Sequence, residues 1–464
     1  MDWYAPIVRR VIAPLWALKD RNPFLRHYRT VMRTQYDPPD AIRSRQGEAL
    51  RKLVRHAYQT TRFWKDRFDQ AGLRPEMVTS LRDIQIIPLL TKQDLRVHGR
   101  ELLSNRYPPG SLMRKATSGS TGVPIEVWVH ETRQHWIQAC VRRADEWSGW
   151  RLGERIGAVW GNPEYLKHGW RGYVRNALVD RTCYLDTLKM NAETMRRFLT
   201  AMCRRPPSLL FGHAHSLYIF AKFAEAESKN VFRPRAIIST AMVLHQWERR
   251  FVERVFRCPV TDRYGCEEVG LIACQCENHM GLHVNADCVY VELLRPDGTP
   301  AVVGEPGMIV VTDLVNRAMP ILRYVVGDMA VWDERPCPCG RGLPVLKRIE
   351  GRVADYVITP RGELISGISL TENFAVLVPG IAQLQIVQKK PDYFLFRIVK
   401  AEDFGPASLA KIQALVAERF GEGVSWQCEF VQRIPPEPSG KYRFCISEIP
   451  KPLFSQRDDQ CPTA

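Results

Sequence analysis

The stretch from Lys115 to Glu126, KATSGSTGVPIE, sets Gly119 and Gly122 among Thr117, Ser118, Ser120 and Thr121. Glycine lets the backbone take positive φ and turn successive N–H groups toward one point. The hydroxyls add further donors, so the stretch suits an anion, with a phosphate chain as the natural guest. A Walker-type loop would need a lysine at a fixed place after the second glycine, and none follows Gly122. The dinucleotide pattern GxGxxG is also absent. A flexible Ser/Gly connector is the plain alternative. A second constellation is Cys276 with His283, followed by Cys337 and Cys339. Three thiolates and one imidazole make a closed tetrahedral zinc site, structural because no position remains for water. Unligated buried thiols compete with that reading, and Cys274 or His279 could stand in for one ligand.

Further motifs follow the loop in order: Tyr264-Gly265-Cys266-Glu267-Glu268, Tyr324-Val325-Val326-Gly327-Asp328, Gly351-Arg352-Val353-Ala354-Asp355 and Pro438-Ser439-Gly440-Lys441. With the loop, they resemble the adenylate-forming ligases over nearly the whole chain. The nearest branch is that of the phenylacetate-CoA ligases and their relatives in capsule and exopolysaccharide biosynthesis.

The resemblance implies that ATP-Mg converts a small carboxylic acid to an acyl-adenylate. CoA then takes the acyl group, or in the alternative an amine or hydroxyl acceptor does. It assigns Ser118, Gly119, Ser120, Thr121 and Gly122 to the β- and γ-phosphates, Glu268 to magnesium, and Tyr264 with Gly265 to the adenine side. Asp328 would accept from the ribose hydroxyls and Arg352 would contact ribose or phosphate. Lys441 would offset charge in the adenylation transition state, and Asp355 would be the hinge of a small mobile lobe. Glu267 departs from the threonine of many relatives and is left unassigned. His213, His215, Trp160, Ser239 and Thr240 fall near the acyl pocket, as packed residues or as substrate contacts.

The elements that must carry these residues show in the pattern. Gln46 to Phe68 has helical spacing, and Thr91 to Asp94 reads as a capping box. From His130 to Tyr264, predicted helices (130–147, 191–204, 214–226, 246–256) alternate with short apolar strands (155–160, 208–211, 235–239, 260–264). That predicts an α/β fold with a largely parallel sheet covered by helices and ligands at the carboxyl ends of the strands. Residues 282–332 read as a β-rich subdomain. Strands at 384–389, 393–399 and 426–431, with a helix at 406–420, predict a small α+β lobe. The expected division is 1–40, a basic amphipathic segment; 41–354, the large adenylation domain; and 355–464, the small domain.

The 464 residues, 45% hydrophobic, provide for several sizeable cores. A net charge of +16 is spread along the chain, which favours small polyanions or an anionic membrane surface over nucleic acid. Thirteen cysteines with no recognisable secretory signal predict a reducing compartment, hence a cytoplasmic protein. No stretch reaches the ~20 apolar residues of a membrane span. Residues 1–35 mix tryptophan and aliphatic side chains with arginine. They predict either an ordinary packed helix or peripheral contact at the inner membrane surface.

Overall fold

The computed structural model describes residues 2–19, 23–116, 125–160, 169–187, 190–227, 231–352, 356–358, 360, 364–366, 370, 374, 377–421, 423–434 and 445–449. Ser118, Gly119, Ser120, Thr121, Gly122, Asp355 and Lys441 lie outside the described residues. Strands β1 (Met113–Ala116) and β2 (Glu126–Val129) bracket the glycine-hydroxyl loop as an antiparallel pair, with Ala116 opposite Glu126.

Five strands then lie parallel: β3 (Ile156–Trp160), β4 (Thr182–Asp186), β5 (Leu209–His213), β6 (Ala236–Thr240) and β7 (Val260–Cys266). Their apolar runs, such as Ala236, Ile237 and Ile238, are buried, as expected of parallel strands sheltered on both faces. Helices Ala192–Arg204, Ala214–Glu227 and Gln246–Phe256 supply cover, with Phe198, Phe220 and Phe256 in one apolar cluster against Val159, Leu210 and Ile237. Asn191 caps the first of these by accepting from Thr194 N at 2.9 Å.

Beyond β7 the pairing turns antiparallel. Strands β8 (Gly270–Gln275), β9 (Leu282–Val284), β10 (Val289–Leu294), β11 (Pro306–Asp313), β12 (Tyr324–Asp333) and β13 (Val345–Arg352) complete one 11-stranded sheet in the order β10-β11-β12-β13-β9-β8-β7-β6-β5-β3-β4. The β-rich part is therefore continuous with the parallel part. The switch has a local cause: β7 and β8 are joined by a tight turn, whereas a parallel return needs a crossover of roughly a dozen residues or more.

Two further differences from the sequence pattern have physical reasons. The helical run at 46–68 divides at Thr61, whose extended backbone and hydroxyl, accepting from Trp64 N, start a second helix. The helical stretch Gly169–Arg175 and Asn176–Asp180, with β4 after it, is not marked by apolar spacing because Trp170, Tyr173, Val174 and Leu178 are exposed and only Val179 is buried among its large apolar residues.

In the small lobe β14 (Tyr356–Ile358) pairs with β15 (Leu364–Ser366). Strands β16 (Ile381–Lys390), β17 (Tyr393–Lys400), β18 (Ser425–Phe430) and β19 (Cys445–Ser447) form a sheet ordered β18-β17-β16-β19, with helix Pro406–Phe420 supplying Phe420 to its core. Among the described residues no helix is long and apolar enough to cross a membrane.

Candidate active site

Two of the sequence motifs meet, each supplying a tyrosine to the acid of the other. Tyr264, near the end of β7, donates its hydroxyl to Asp328 Oδ2 at 2.7 Å. Tyr324, at the start of β12, donates to Glu268 Oε1 at 2.8 Å. Burial and the neighbouring carboxylates push both phenols well above their ordinary range, so they stay protonated and act as donors. Burial and Glu268 likewise push up the Cys266 thiol, which adds no charge beside that carboxylate. Glu268 is 5% exposed, whereas Glu267 points outward. Exposure of Glu267 removes the repulsion that a second carboxylate at this place would exert on a phosphate. Arg352 ends β13 directly across the ladder from Asp328.

Residues without an assigned role in the motifs hold this pair of strands. Arg133 is fully buried and pairs with Asp313 at 3.0 Å, and its Nη2 donates to the Glu268 carbonyl at 3.4 Å. It sits on the same helix face as Ile137, Cys140 and Ala144. An arginine at a position where helical spacing calls for an apolar side chain is the signal that would have found it. Leu90 clasps Tyr324: Leu90 N donates to Arg323 O at 3.0 Å and Val325 N donates to Leu90 O at 2.9 Å. Next to it Thr91 begins helix Lys92–Val97 with its hydroxyl and Asp94 in a reciprocal cap. The cap aims Lys92 at the second motif. Gly327 has φ +89°, and a Cβ there would lie 3.2 Å from Lys92 Nζ. The positive φ at 327 favours glycine, and the Lys92 ammonium lies against its open side.

At the carboxyl ends of the parallel strands, Trp160 and His213 pack with ring centroids 4.0 Å apart, and Trp160 also meets Phe211 at 5.1 Å. Thr240 lies opposite His213 in the ladder, and Ser239 is wholly buried. His215 Nδ1 lies 2.9 Å from the buried Glu248 Oε1, a contact that joins the start of its helix to helix Gln246–Phe256.

The three cysteines and one histidine converge as their chemistry requires. One donor atom each from Cys276, His283, Cys337 and Cys339 lies within 4.8 Å of every other. Cys276 Sγ is 3.5 Å from Cys337 Sγ, and Cys339 Sγ is 3.4 Å from His283 Nε2. A tetrahedral zinc with ordinary bond lengths separates its donors by about 3.6–3.8 Å, so the four residues fit such an ion. Cys276 follows β8, His283 lies in β9, and Cys337 and Cys339 lie between β12 and β13. Burial pushes the His283 imidazole down to about 4, which keeps it neutral and able to ligate. Cys274 turns instead toward Arg263, and neither it nor His279 belongs to the group.

This architecture is similar to that of solved CoA-ligase structures. The chain superposes on a 2-hydroxyisobutyryl-CoA ligase in complex with an acyl-adenylate with TM-score 0.72 at 19% identity, covering 90% of this chain and 91% of that one. In sequence it is similar to phenylacetate-CoA ligases and to CapK. It is 27% identical to the phenylacetate-coenzyme A ligase of Thermus thermophilus, over 82% of this chain and 83% of the relative. It is 22% identical to the protein CapK of Staphylococcus aureus, over 87% and 89% respectively. Residues 357–448 match the CapK C-terminal domain family.

Proposed function

We propose that the protein is an AMP-forming ligase that activates a small carboxylic acid with ATP and passes the acyl group to CoA. The observation that carries this reading is the reciprocal pairing of Tyr264 with Asp328 and Tyr324 with Glu268, which brings two acids of separate motifs together beside the Lys92 ammonium. A carboxylate is a poor electrophile because its leaving group would be oxide. Adenylation gives it AMP as a leaving group, which a thiol can displace.

In this reading Asp328, oriented by Tyr264, accepts from the ribose hydroxyls, while Arg352 contacts the ribose or α-phosphate from the neighbouring strand. Tyr264 and Gly265 border the adenine. The loop residues Ser118, Gly119, Ser120, Thr121 and Gly122 hold the β- and γ-phosphates, and the β1–β2 pair fixes both ends of that loop. Lys92 adds a cation on the side of Gly327. Glu268 would hold the magnesium ion, which neutralises phosphate charge when bound, and Tyr324 orients the carboxylate for it. Lys441 would reach the acid and α-phosphate from the small lobe, with Asp355 as the hinge. Trp160 and His213 would border the acyl group. The quartet Cys276, His283, Cys337 and Cys339 would hold a structural zinc that ties the β8–β9 turn to the β12–β13 link.

The match of the small lobe to the CapK C-terminal domain favours a second reading, in which an amine or hydroxyl replaces CoA as acceptor. Acid-dependent exchange of pyrophosphate into ATP across a panel of acids tests activation itself. AMP release with and without CoA then separates the two acceptors. Absence of exchange with every acid tried would refute both.

A further inference from the structure

The helix that opens the chain is seated on the body by its narrow face. Ala5 and Val8 are buried against Gly153, whose φ is +90° and where a Cβ would lie 2.7 Å from the Ala5 carbonyl oxygen. Arg9 Nε donates to Leu152 O at 3.1 Å, and Asp2 pairs with Arg181 at 2.8 Å. This seating turns the wider apolar stripe outward. Trp3, Ile7, Val11, Leu15 and Leu18 recur at helical spacing, and Trp3 and Leu18 are 76% and 75% exposed. An amphipathic helix packed only for stability would bury that stripe.

A second helical stretch, Gly169–Arg175 continuing through Asn176–Asp180, touches the first, with Tyr4 Oη donating to Leu178 O at 3.3 Å. It too presents apolar side chains to solvent: Trp170, Tyr173, Val174 and Leu178. The cations Arg10, Lys19, Arg171 and Arg175 are exposed on the same two segments. Their acids Asp2 and Asp180 are each matched by an arginine, Arg181 and Arg175. A cavity of about 480 Å³ opens where the first helix meets the body, lined by Trp3 and Tyr4, by Arg181 paired with Asp2, and by Arg155 and Arg205. Exposed tryptophans and aliphatics beside Arg10, Lys19 and Arg171 match the two layers of a bilayer interface, acyl chains below and phosphates above.

We infer that these two helices form a docking surface for an anionic phospholipid bilayer, with a headgroup phosphate received in the arginine-lined cavity. The inference stands independently of acid activation.

Flotation of the full chain tests it, with vesicles of phosphatidylcholine alone and vesicles containing about 30% phosphatidylglycerol. Binding to the anionic vesicles is expected to be ~10-fold tighter or more. Leu15→Glu and Trp170→Ser, both at exposed positions where folding is spared, should each weaken it by about 10-fold. Arg155→Ala with Arg205→Ala should do the same, whereas Leu409→Glu, on the helix of the small lobe, should change nothing. Quenching of tryptophan emission by lipids brominated in the acyl chain, reduced in Trp170→Phe, should report insertion. Failure to bind anionic vesicles overturns the inference. So does binding that survives Leu15→Glu and Trp170→Ser, which would be diffuse attraction to a chain of charge +16. Stabilisation by inorganic phosphate through Arg155 and Arg205 without vesicle binding would assign the cavity to a soluble anion and also overturn it.

Discussion

The Tyr324 hydroxyl donates to Glu268 across 2.8 Å, and both groups are buried. A hydrogen bond to a charged acceptor is worth about 1.5–3 kcal/mol, more than a neutral one, because the carboxylate has lost water. Tyr324→Phe should therefore slow adenylation by ~10- to 100-fold, with a smaller effect on ATP binding, measured by pyrophosphate exchange. Tyr264→Phe removes the donor to Asp328 instead, and should raise the KM for ATP by ~10-fold while kcat changes less. Equal effects of the two changes on kcat and KM would mean that the crossed pairs serve only packing.

The acids of these pairs were legible in the sequence, but their partners were not. Tyr264 and Tyr324 each stand four residues ahead of an acid of their own motif, and spacing alone does not tell that the bonds cross. That depends on how a curved sheet brings β7 and β12 together, a long-range property. Local rules fared better: helix Gln246–Phe256 is bounded where its apolar spacing predicts, and Asn191 caps the helix it precedes. Lys92 and Arg133 escaped because each acts across a large sequence separation, one beside Gly327 and the other on Asp313. The first helix was read as amphipathic, but its seating on Gly153 by Ala5 and Val8 decides which face is hidden. No period in the sequence encodes that choice.

The quartet gives a prediction about metal. Protein purified without chelator should carry about one equivalent of zinc, and Cys337→Ser with Cys339→Ser should abolish it. Loss of zinc should lower the melting temperature, because the ion would join segments on either side of β9. Less than about half an equivalent in unchelated protein would remove the site.

Lys441 supplies the sharpest separation of half-reactions. Lys441→Ala should slow adenylation by ~10²-fold or more and leave thiol attack on a supplied acyl-adenylate near its original rate. In the proposed reaction its ammonium would offset negative charge growing between the acid and the α-phosphate, a need that would end once the adenylate has formed. Equal losses in both steps would refute the assignment.

Asp262 yields a prediction about pH. It lies on β7 opposite Ser239, and burial raises its carboxyl to about 6, partly opposed by the Arg249 guanidinium. The folded state therefore binds a proton more readily than the unfolded one. Between the unfolded value near 3.8 and the folded value near 6, stability falls as pH rises, and the loss is complete above the upper limit. The shift corresponds to about 3 kcal/mol at most, since relaxation and water entry reduce the cost of burying a charge. Asp262→Asn removes the ionisation without changing the shape. It should raise the melting temperature at pH 7–8 and give little gain near pH 4, where the native carboxyl is already protonated. Thermal melts of both proteins across that range measure the difference directly. A gain that is the same at both ends would show that the charge of Asp262 costs nothing, and that Arg249 compensates it fully.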